Sequence, residues 1–341
     1  MDLTGKRVLI TGGTGTLGRA MVARCLSNEM GEPARITVFS RDESKQYDMR
    51  VTWKQQQFAT EDIAYRNFDD LLDFRIGDVR NYSSLIPAVK DADVIFHAAA
   101  LKQVPTCEYF PFEANLTNVF GAHNLTRAVK EHGSSVQMVV GISTDKACKP
   151  INVMGMTKAI QERILVEANL RSPDTAFLCV RYGNVIASRG SVIPLFQEQI
   201  RTGGPVTITT REMTRFLLTI DQAVDTVFAA VKTGLPGETY IPIVPSANIV
   251  DVTSVLIGDR PISVKYVGIR PGEKIHEILV SEEESYRTVL RDGYYIIKSL
   301  LPEVAGNPVE NPALNAEYSS RDSTLSIDGL KALLGKAGYL G

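Results

Sequence analysis

Short apolar runs that end in glycine or small residues recur along the first half of the chain. KRVLITGG (6–13), RITVFSR (35–41), DFRIGDV (73–79), DVIFHAAA (93–100), QMVVGIST (137–144) and AFLCVRYGNV (176–185) each read as a strand, several too apolar for burial on one face alone. Amphipathic segments around 17–30, 111–132 and 155–170 separate them. Strands alternating with helices predict a parallel sheet covered on both faces, the doubly wound α/β (Rossmann) class. After about residue 185 the alternation loosens. VIPLFQEQIRTG reads as a helix, VTITT as a strand, IDQAVDTVFAAVKTG as a helix closed by Gly234, and PGETYIPIV and PISVKYVG as further short strands. These suit a smaller C-terminal substrate lobe. The expected division is therefore a nucleotide-binding domain over 1–185 and a lobe over 186–341, with some segments free to return to the first domain. The polar stretch 46–72 reads as an inserted helix and surface loop.

Composition narrows the class only a little. With 341 residues, 44% hydrophobic and 22% charged, the chain is an ordinary globular protein. A net charge of −2 argues against a general nucleic-acid binder. The start, MDLTGKRVLITGG, lacks the pattern of a signal peptide, and no apolar run approaches a membrane span, so a cytoplasmic protein is expected. Cys25, Cys107, Cys148 and Cys179 are scattered without metal-ligand spacing and read as reduced thiols. No histidine pair has metal-ligand spacing, and no metal is expected.

TGGTGTLG follows the first strand and opens a helix. Gly12, Gly15 and Gly18, with Thr14, Thr16 and Leu17 between them, form a turn whose backbone N–H groups can approach a pyrophosphate. The tip of the second strand bears on which dinucleotide is taken. It reads SRDESK, where an NAD site usually carries an acidic residue. Ser40, Arg41 and Lys45 suit a 2′-phosphate and point to NADP, although Asp42 could meet a ribose hydroxyl and Arg41 could be a solvated charge. Asp78 and Val79 of GDV, with Asp78 suited to the adenine amino group, and Ala98 and Ala99 of HAAA complete the cofactor cleft.

STDKACKPINVMGMTK (143–158) poses the chemical question. Lys158 stands where a hydride-transfer enzyme keeps the lysine of a Tyr-x-x-x-Lys pair, but the position four before it is Met154. A thioether is no useful proton donor or acceptor, so Met154 reads as a packing group. Thr144, Asp145 and Lys146 lie at the C-terminal tip of a strand, where doubly wound folds bind their ligands. Adjacent opposite charges in a cleft can hold different protonation states. On a surface the same pair would be an ordinary ion pair worth about 0–1 kcal/mol.

Together TGGTGTLG, HAAALKQVP, STDKA-x-x-P-x-N-x-M-G-x-x-K, RYGNV, ASRGSVIPLF, MTRF and R-x-GEK resemble the extended short-chain dehydrogenase/reductases. Within them they are similar to the UDP-N-acetylglucosamine 4,6-dehydratases of capsule, flagellin and O-antigen sugar biosynthesis, in particular to the short, Met-bearing capsular type. The resemblance runs from residue 6 to about 285 and implies NADP, a UDP-sugar substrate and a homo-oligomer, often hexameric or dimeric. On that chemistry the expected assignment has Thr144 bonding the sugar O4, Lys146 removing the C5 proton, Asp145 or the newly protonated Lys146 assisting loss of the C6 hydroxyl, and Lys158 holding the nicotinamide ribose and lowering nearby pKa values. Lys102 and Gln103 match positions beside the sugar, with Lys102 also near the cofactor, as are Tyr182 and Asn184. Asn184 matches a sugar-phosphate contact and Glu273 a ribose contact. Arg189, Arg215 and Arg270, types suited to bidentate phosphate contact, lie in the second lobe with Ser191 and Val192. Three alternatives stay open: a dehydratase that retains rather than inverts C5, a UDP-sugar 4-epimerase, and a non-catalytic NADP-binding regulator.

Overall fold

A computed structural model describes residues 1–59, 71–186 and 192–340. Its sixteen strands among the described residues are β1 Arg7–Thr11, β2 Arg35–Ser40, β3 Leu72–Ile76, β4 Val94–His97, β5 Met138–Thr144, β6 Ala176–Tyr182, β7 Asn184–Val185, β8 Val206–Ile208, β9 Thr214–Leu218, β10 Thr239–Pro242, β11 Ser246–Asn248, β12 Val264–Tyr266, β13 Ile278–Val280, β14 Thr288–Arg291, β15 Tyr294–Ile297 and β16 Tyr318–Ser319. Nine of them form the main sheet in the order β14-β15-β10-β6-β5-β4-β1-β2-β3. From β3 to β10 every pairing is parallel, and β15 and β14 add an antiparallel edge.

Alternation along the strands explains why the sheet is covered twice. Val8, Ile10, Ile36, Val140 and Leu178 pack into one apolar cluster, while Leu9, Phe39, Ile95, Val139 and Phe177 pack into another. Both sets are almost fully buried, which matches the runs read as strands with two apolar faces. The strand order reverses between β1 and β4, and the crevice outside that point is where a doubly wound sheet binds its ligand.

Two readings change at the C-terminal side. PGETYIPIV, expected in the smaller lobe, instead supplies β10, which pairs with β6 in the main sheet. The helix Ile220–Thr233 joins the same return, burying Val224, Val227 and Val231 in the core beneath the sheet. AFLCVRYGNV, read as one strand, divides at Gly183: β6 stays in the main sheet, and β7 pairs with β9 in a separate sheet with β11. A Cβ at Gly183 would lie 2.6 Å from Phe216 Cβ, so glycine lets the chain change sheets against β9. The smaller lobe has its own core, including Ile193, Phe196, Val206, Leu217, Val252 and Leu330. Within 46–72, helix Glu43–Ala59 begins slightly ahead of the expected insertion, and residues 60–70 lie outside the described residues.

A buried ionic knot ties the main sheet to the returning C-terminal segment. Arg181 at the end of β6 pairs with Glu162 and Glu284, at 2.7 Å each, and Ser143 donates to Glu162. Glu284 reaches this knot from helix Glu282–Ser285, between β13 and β14. All four cysteines are free and buried, and no described helix is long and apolar enough to cross a membrane.

Candidate active site

The glycine loop is built for close backbone approach. Gly12 has φ +70, and a Cβ there would lie 2.7 Å from Ala99 N, so the loop rests on the tip of β4. Gly18 packs against Gly13, where a Cβ would lie 2.5 Å from its Cα. Helix Thr16–Leu26 starts at Gly15 with no side-chain cap and no acidic residue in its first turn. Its leading N–H groups are thus left for an anion, and the loop fits a dinucleotide pyrophosphate. Thr14 is buried beneath the loop, Leu17 half-buried, and Thr16 exposed at the helix start.

At the tip of β2, Ser40 is buried and accepts from Gln46 Nε2, while Arg41 is more than half exposed. Arg41 Nη1 lies 3.8 Å from Asp78 Oδ2, bringing the tips of β2 and β3 together. Asp78 already accepts from Arg80 at both oxygens. Partial burial opposes its ionisation, but those bonds and the Arg41 charge hold its carboxyl below the usual range. Lys45 pairs with Asp42. Val79 is buried and Ala98 and Ala99 half-buried where the cleft opens.

The acid–base groups gather one strand further on. After β5 the chain makes a single 3-10 turn, Asp145–Ala147, whose N-cap is Thr144. Thr144 Oγ1 donates to Asp145 Oδ1 at 2.7 Å, and Lys146 Nζ reaches the same oxygen at 3.1 Å. Helix Val153–Arg171 presses on this turn, because a Cβ on Gly155 would lie 2.2 Å from Lys146 O. Asn152 caps that helix by accepting from Gly155 N at 2.8 Å and donates to Gly272 O at 2.8 Å. The N-x-M-G spacing thus has a mechanical reason: cap, buried packing residue, glycine contact. Met154 is 4% exposed and packs with Cys107 and Ala114.

Lys158 is buried one turn along the helix. Its ammonium donates to Ile142 O and to Gln161 Oε1, and burial draws its pKa down to about 8. In this arrangement it is held to the strand carbonyl rather than pointing free into the cleft. Nearby His97, at the end of β4, shares a hydrogen bond with Thr11 Oγ1 at 2.8 Å and stays neutral, with burial and Lys158 pulling its pKa down to about 3. Tyr182, at the end of β6, is buried, and burial raises its phenol.

Two residues that the sequence pattern did not single out complete the centre. Asn118, on a π-helical turn Leu116–Phe120, brackets Leu101 by accepting from its N–H at 2.8 Å and donating to its carbonyl at 3.0 Å. It also donates to Thr157 Oγ1, so it ties the loop after β4 to helix Val153–Arg171. Glu277 is the second. It is 2% exposed, and its Oε1 lies 3.1 Å from Lys146 Nζ, opposite Asp145. Lys146 therefore sits between two buried carboxylates. Desolvation works against its charge, but Asp145 and Glu277 together raise its pKa. Burial raises Asp145, with Glu277 adding to the rise against the pull of Lys146, whereas Lys146 and Arg215 hold Glu277 low despite its burial. Asp145 Oδ2 and Glu277 Oε2 are buried without a hydrogen-bond partner among the described residues.

Lys146 opens onto a cleft of about 220 Å³ between the lobes, lined also by Asn184, Val192, Arg215, Arg270 and Glu273. Five positions matched separately from sequence thus line one cleft with Lys146. Arg215 lines the cleft and also has a structural part. It is buried, and its guanidinium donates to the carbonyls of Thr214, Ile275 and Lys274, with Nε 3.7 Å from Glu277. Most of its five donors are committed to building the wall, which leaves Arg270, exposed at the cleft rim, as the freer cation. Glu273 accepts from Thr209 at 3.0 Å. Lys102 and Gln103 are exposed in the loop after β4, next to the lining residue Val104. Arg189 and Ser191 lie outside the described residues.

A family model described as "Polysaccharide biosynthesis protein" matches residues 8–299. The UDP-glucose 4-epimerase of Rickettsia typhi is 44% identical over 297 residues, covering 86% of this chain and 82% of that protein. The protein of the same name from Rickettsia conorii is 45% identical over 297 residues, covering 85% and 82%. Among solved structures, Pen from Bacillus thuringiensis superposes over 100% of both chains with a TM-score of 0.88 at 34% identity. DesIV, a dTDP-glucose 4,6-dehydratase from Streptomyces venezuelae, shares the fold, with a TM-score of 0.65 at 21% identity over 79% of this chain and 86% of that one.

Proposed function

The chain belongs to the polysaccharide biosynthesis protein family, and from that premise we propose that it is a nucleotide-sugar 4,6-dehydratase. The substrate proposed is UDP-N-acetylglucosamine and the product a UDP-4-keto-6-deoxy-hexosamine, with inversion at C5. One observation carries the reading: Lys146 opens onto the cleft while held between two buried carboxylates. Oxidation and reduction at C4 need one proton relay. Elimination of water across C5 and C6 needs a base for the C5 proton and an acid for the departing hydroxyl as well. A cluster of three adjacent titratable groups supplies that second set.

Bound at the glycine loop, NADP supplies the acceptor of hydride from C4 and its donor to C6. The protein's own part is proton movement and placement. Thr144 Oγ, already bonded to Asp145, passes the C4 hydroxyl proton to that carboxylate, whose raised pKa readies it to accept. Protonation of Asp145 removes one of the two anions that hold Lys146 charged, and Lys146, having shed its proton to solvent, removes the C5 proton made acidic by the C4 ketone. Asp145, now a carboxylic acid, protonates the C6 hydroxyl, which leaves as water, while C5 receives a solvent proton on the face opposite Lys146, as inversion requires. The proton from O4 leaves in the water, and the C5 proton kept by Lys146 is balanced by the one drawn from solvent. Arg270, Glu273 and Asn184 hold the nucleotide end, and Arg41, Ser40 and Lys45 the 2′-phosphate of the cofactor.

The name of the Rickettsia relatives makes 4-epimerase the second reading, since it shares the cofactor and the C4 chemistry. Proton NMR of the reaction with UDP-N-acetylglucosamine separates the two. A new C6 methyl signal beside a 4-keto group supports the dehydratase, and its couplings report C5 inversion or retention. Accumulation of the C4 epimer with C6 still hydroxylated would sink the proposal.

The cofactor assignment has its own test. Arg41→Glu places a carboxylate beside the 2′-phosphate site, so NADP affinity is expected to fall far more than NAD affinity. Titrating both dinucleotides against the variant by fluorescence measures the ratio. Equal losses would mean that Arg41 reads no phosphate.

A further inference from the structure

Glu277 has a setting that a simple structural ion pair does not require. Its backbone is pinned on both sides by one residue: Glu277 N donates to Ser320 Oγ at 2.9 Å, and Ser320 N donates to Glu277 O at 2.8 Å. The segment before it is clamped by Arg215, which holds the carbonyls of Lys274 and Ile275. The carboxylate is thus aimed at Lys146 with little freedom. It nevertheless engages that ammonium through one oxygen and leaves the other buried and unpartnered among the described residues. A buried carboxylate oxygen without a donor is costly, and such costs are kept where a group has work to do.

We propose that Glu277 is the positioning residue for Lys146, a buried carboxylate from the segment following Arg270 that fixes the ammonium against Asp145 and sets the proton state in which it meets the sugar. Lys146 belongs to β5's tip by sequence, and nothing in its own turn fixes a long, flexible side chain on the cleft side. Asp145 alone would draw Nζ back towards Thr144. A second carboxylate at the same 3.1 Å on the other side centres it at the mouth of the cleft. The groups facing Lys146 are Asp145, Glu277 and, more distantly, the cation Arg215, while Lys274 adds positive charge near Glu277. Two anions outweigh one cation, so removing the Glu277 charge makes the lysine easier to deprotonate.

The inference rests on the reading of Lys146 as an acid–base group, so the experiment has one arm independent of turnover. In protein labelled with 13C-lysine, the Lys146 signal is identified by its loss in Lys146→Met and titrated by NMR. In Glu277→Gln, which keeps the shape and one acceptor, its midpoint is expected to fall by roughly 1–3 pH units. The rising limb of the kcat/KM profile should move down with it, while KM and bound cofactor stay as in the parent. Glu277→Asp keeps the charge but withdraws it by a methylene. Its Lys146 midpoint should stay near the parent's while kcat falls about tenfold to a hundredfold, as a displaced catalytic group predicts. An unmoved midpoint in Glu277→Gln overturns the proposal, as does a moved midpoint with an unmoved limb. Failure of the parent protein to form the 4-keto-6-deoxy sugar would instead strike the dehydratase reading, and the titration would still decide what Glu277 does to Lys146.

Discussion

Lys146→Ala is expected to lose dehydration by about 10²–10⁴-fold while still binding its cofactor, because a placed proton acceptor contributes on that order. The glycine loop and β2 tip, proposed to hold the dinucleotide, follow β1 and β2, whereas Lys146 follows β5, so the loss is expected on the sugar side. The substitution also leaves Asp145 and Glu277 without the cation between them. Burial already favours protonation of Asp145, so a proton on that group relieves the repulsion and the fold survives. Three measurements check the expectation: product formation under saturating UDP-N-acetylglucosamine, dinucleotide content, and solvent deuterium entering C5. A variant that keeps near-normal turnover removes Lys146 from the mechanism. One that loses the product but still exchanges C5 assigns the base elsewhere.

The parts of this centre that were legible in the sequence are those carried by local pattern. KRVLITGG and QMVVGIST read as strands because both faces are apolar, and the crevice at their tips follows from the topology they imply. Thr144, Asp145 and Lys146 stood out because they follow a strand tip, where doubly wound folds bind their ligands. Glu277 did not, although GEKIHE places it only four residues after Glu273. It lies far from Lys146 along the chain, and its charge precedes an apolar strand, ILV, with nothing local to say which way the carboxylate turns. Arg215 shows the converse. Its side-chain type suggested a phosphate contact, and nothing local to it showed the two bonds it also gives the 274–275 carbonyls. β10 escaped the sheet it belongs to for a related reason. A strand of four residues looks the same in a small lobe or a large sheet, and its pairing with β6 is settled by helix Ile220–Thr233 packing beneath it.

Met154→Leu and Asp145→Asn, compared side by side, are expected to differ by about two orders of magnitude or more in kcat. Met154 is packed with Cys107 and Ala114, and leucine nearly conserves its volume. Such a swap usually costs less than about 1.5 kcal/mol of stability and removes no proton-transfer group. Asp145→Asn changes the shape of the site hardly at all. The amide oxygen can still accept from Thr144 and Lys146, but the group can no longer take up a proton from the sugar or return one to the leaving hydroxyl. Its turnover is therefore expected to fall about 10²–10⁴-fold with cofactor still bound. The order of the two follows from where the acid–base work resides. In the proposed mechanism the position four residues before Lys158 is part of a wall, and proton transfer falls to the turn beside Thr144. Assays of both purified variants with saturating sugar nucleotide decide the matter. If Met154→Leu were as inactive as Asp145→Asn, with dinucleotide content unchanged, the thioether would have to touch the reacting sugar, and the assignment of its work to Asp145 and Lys146 would fail.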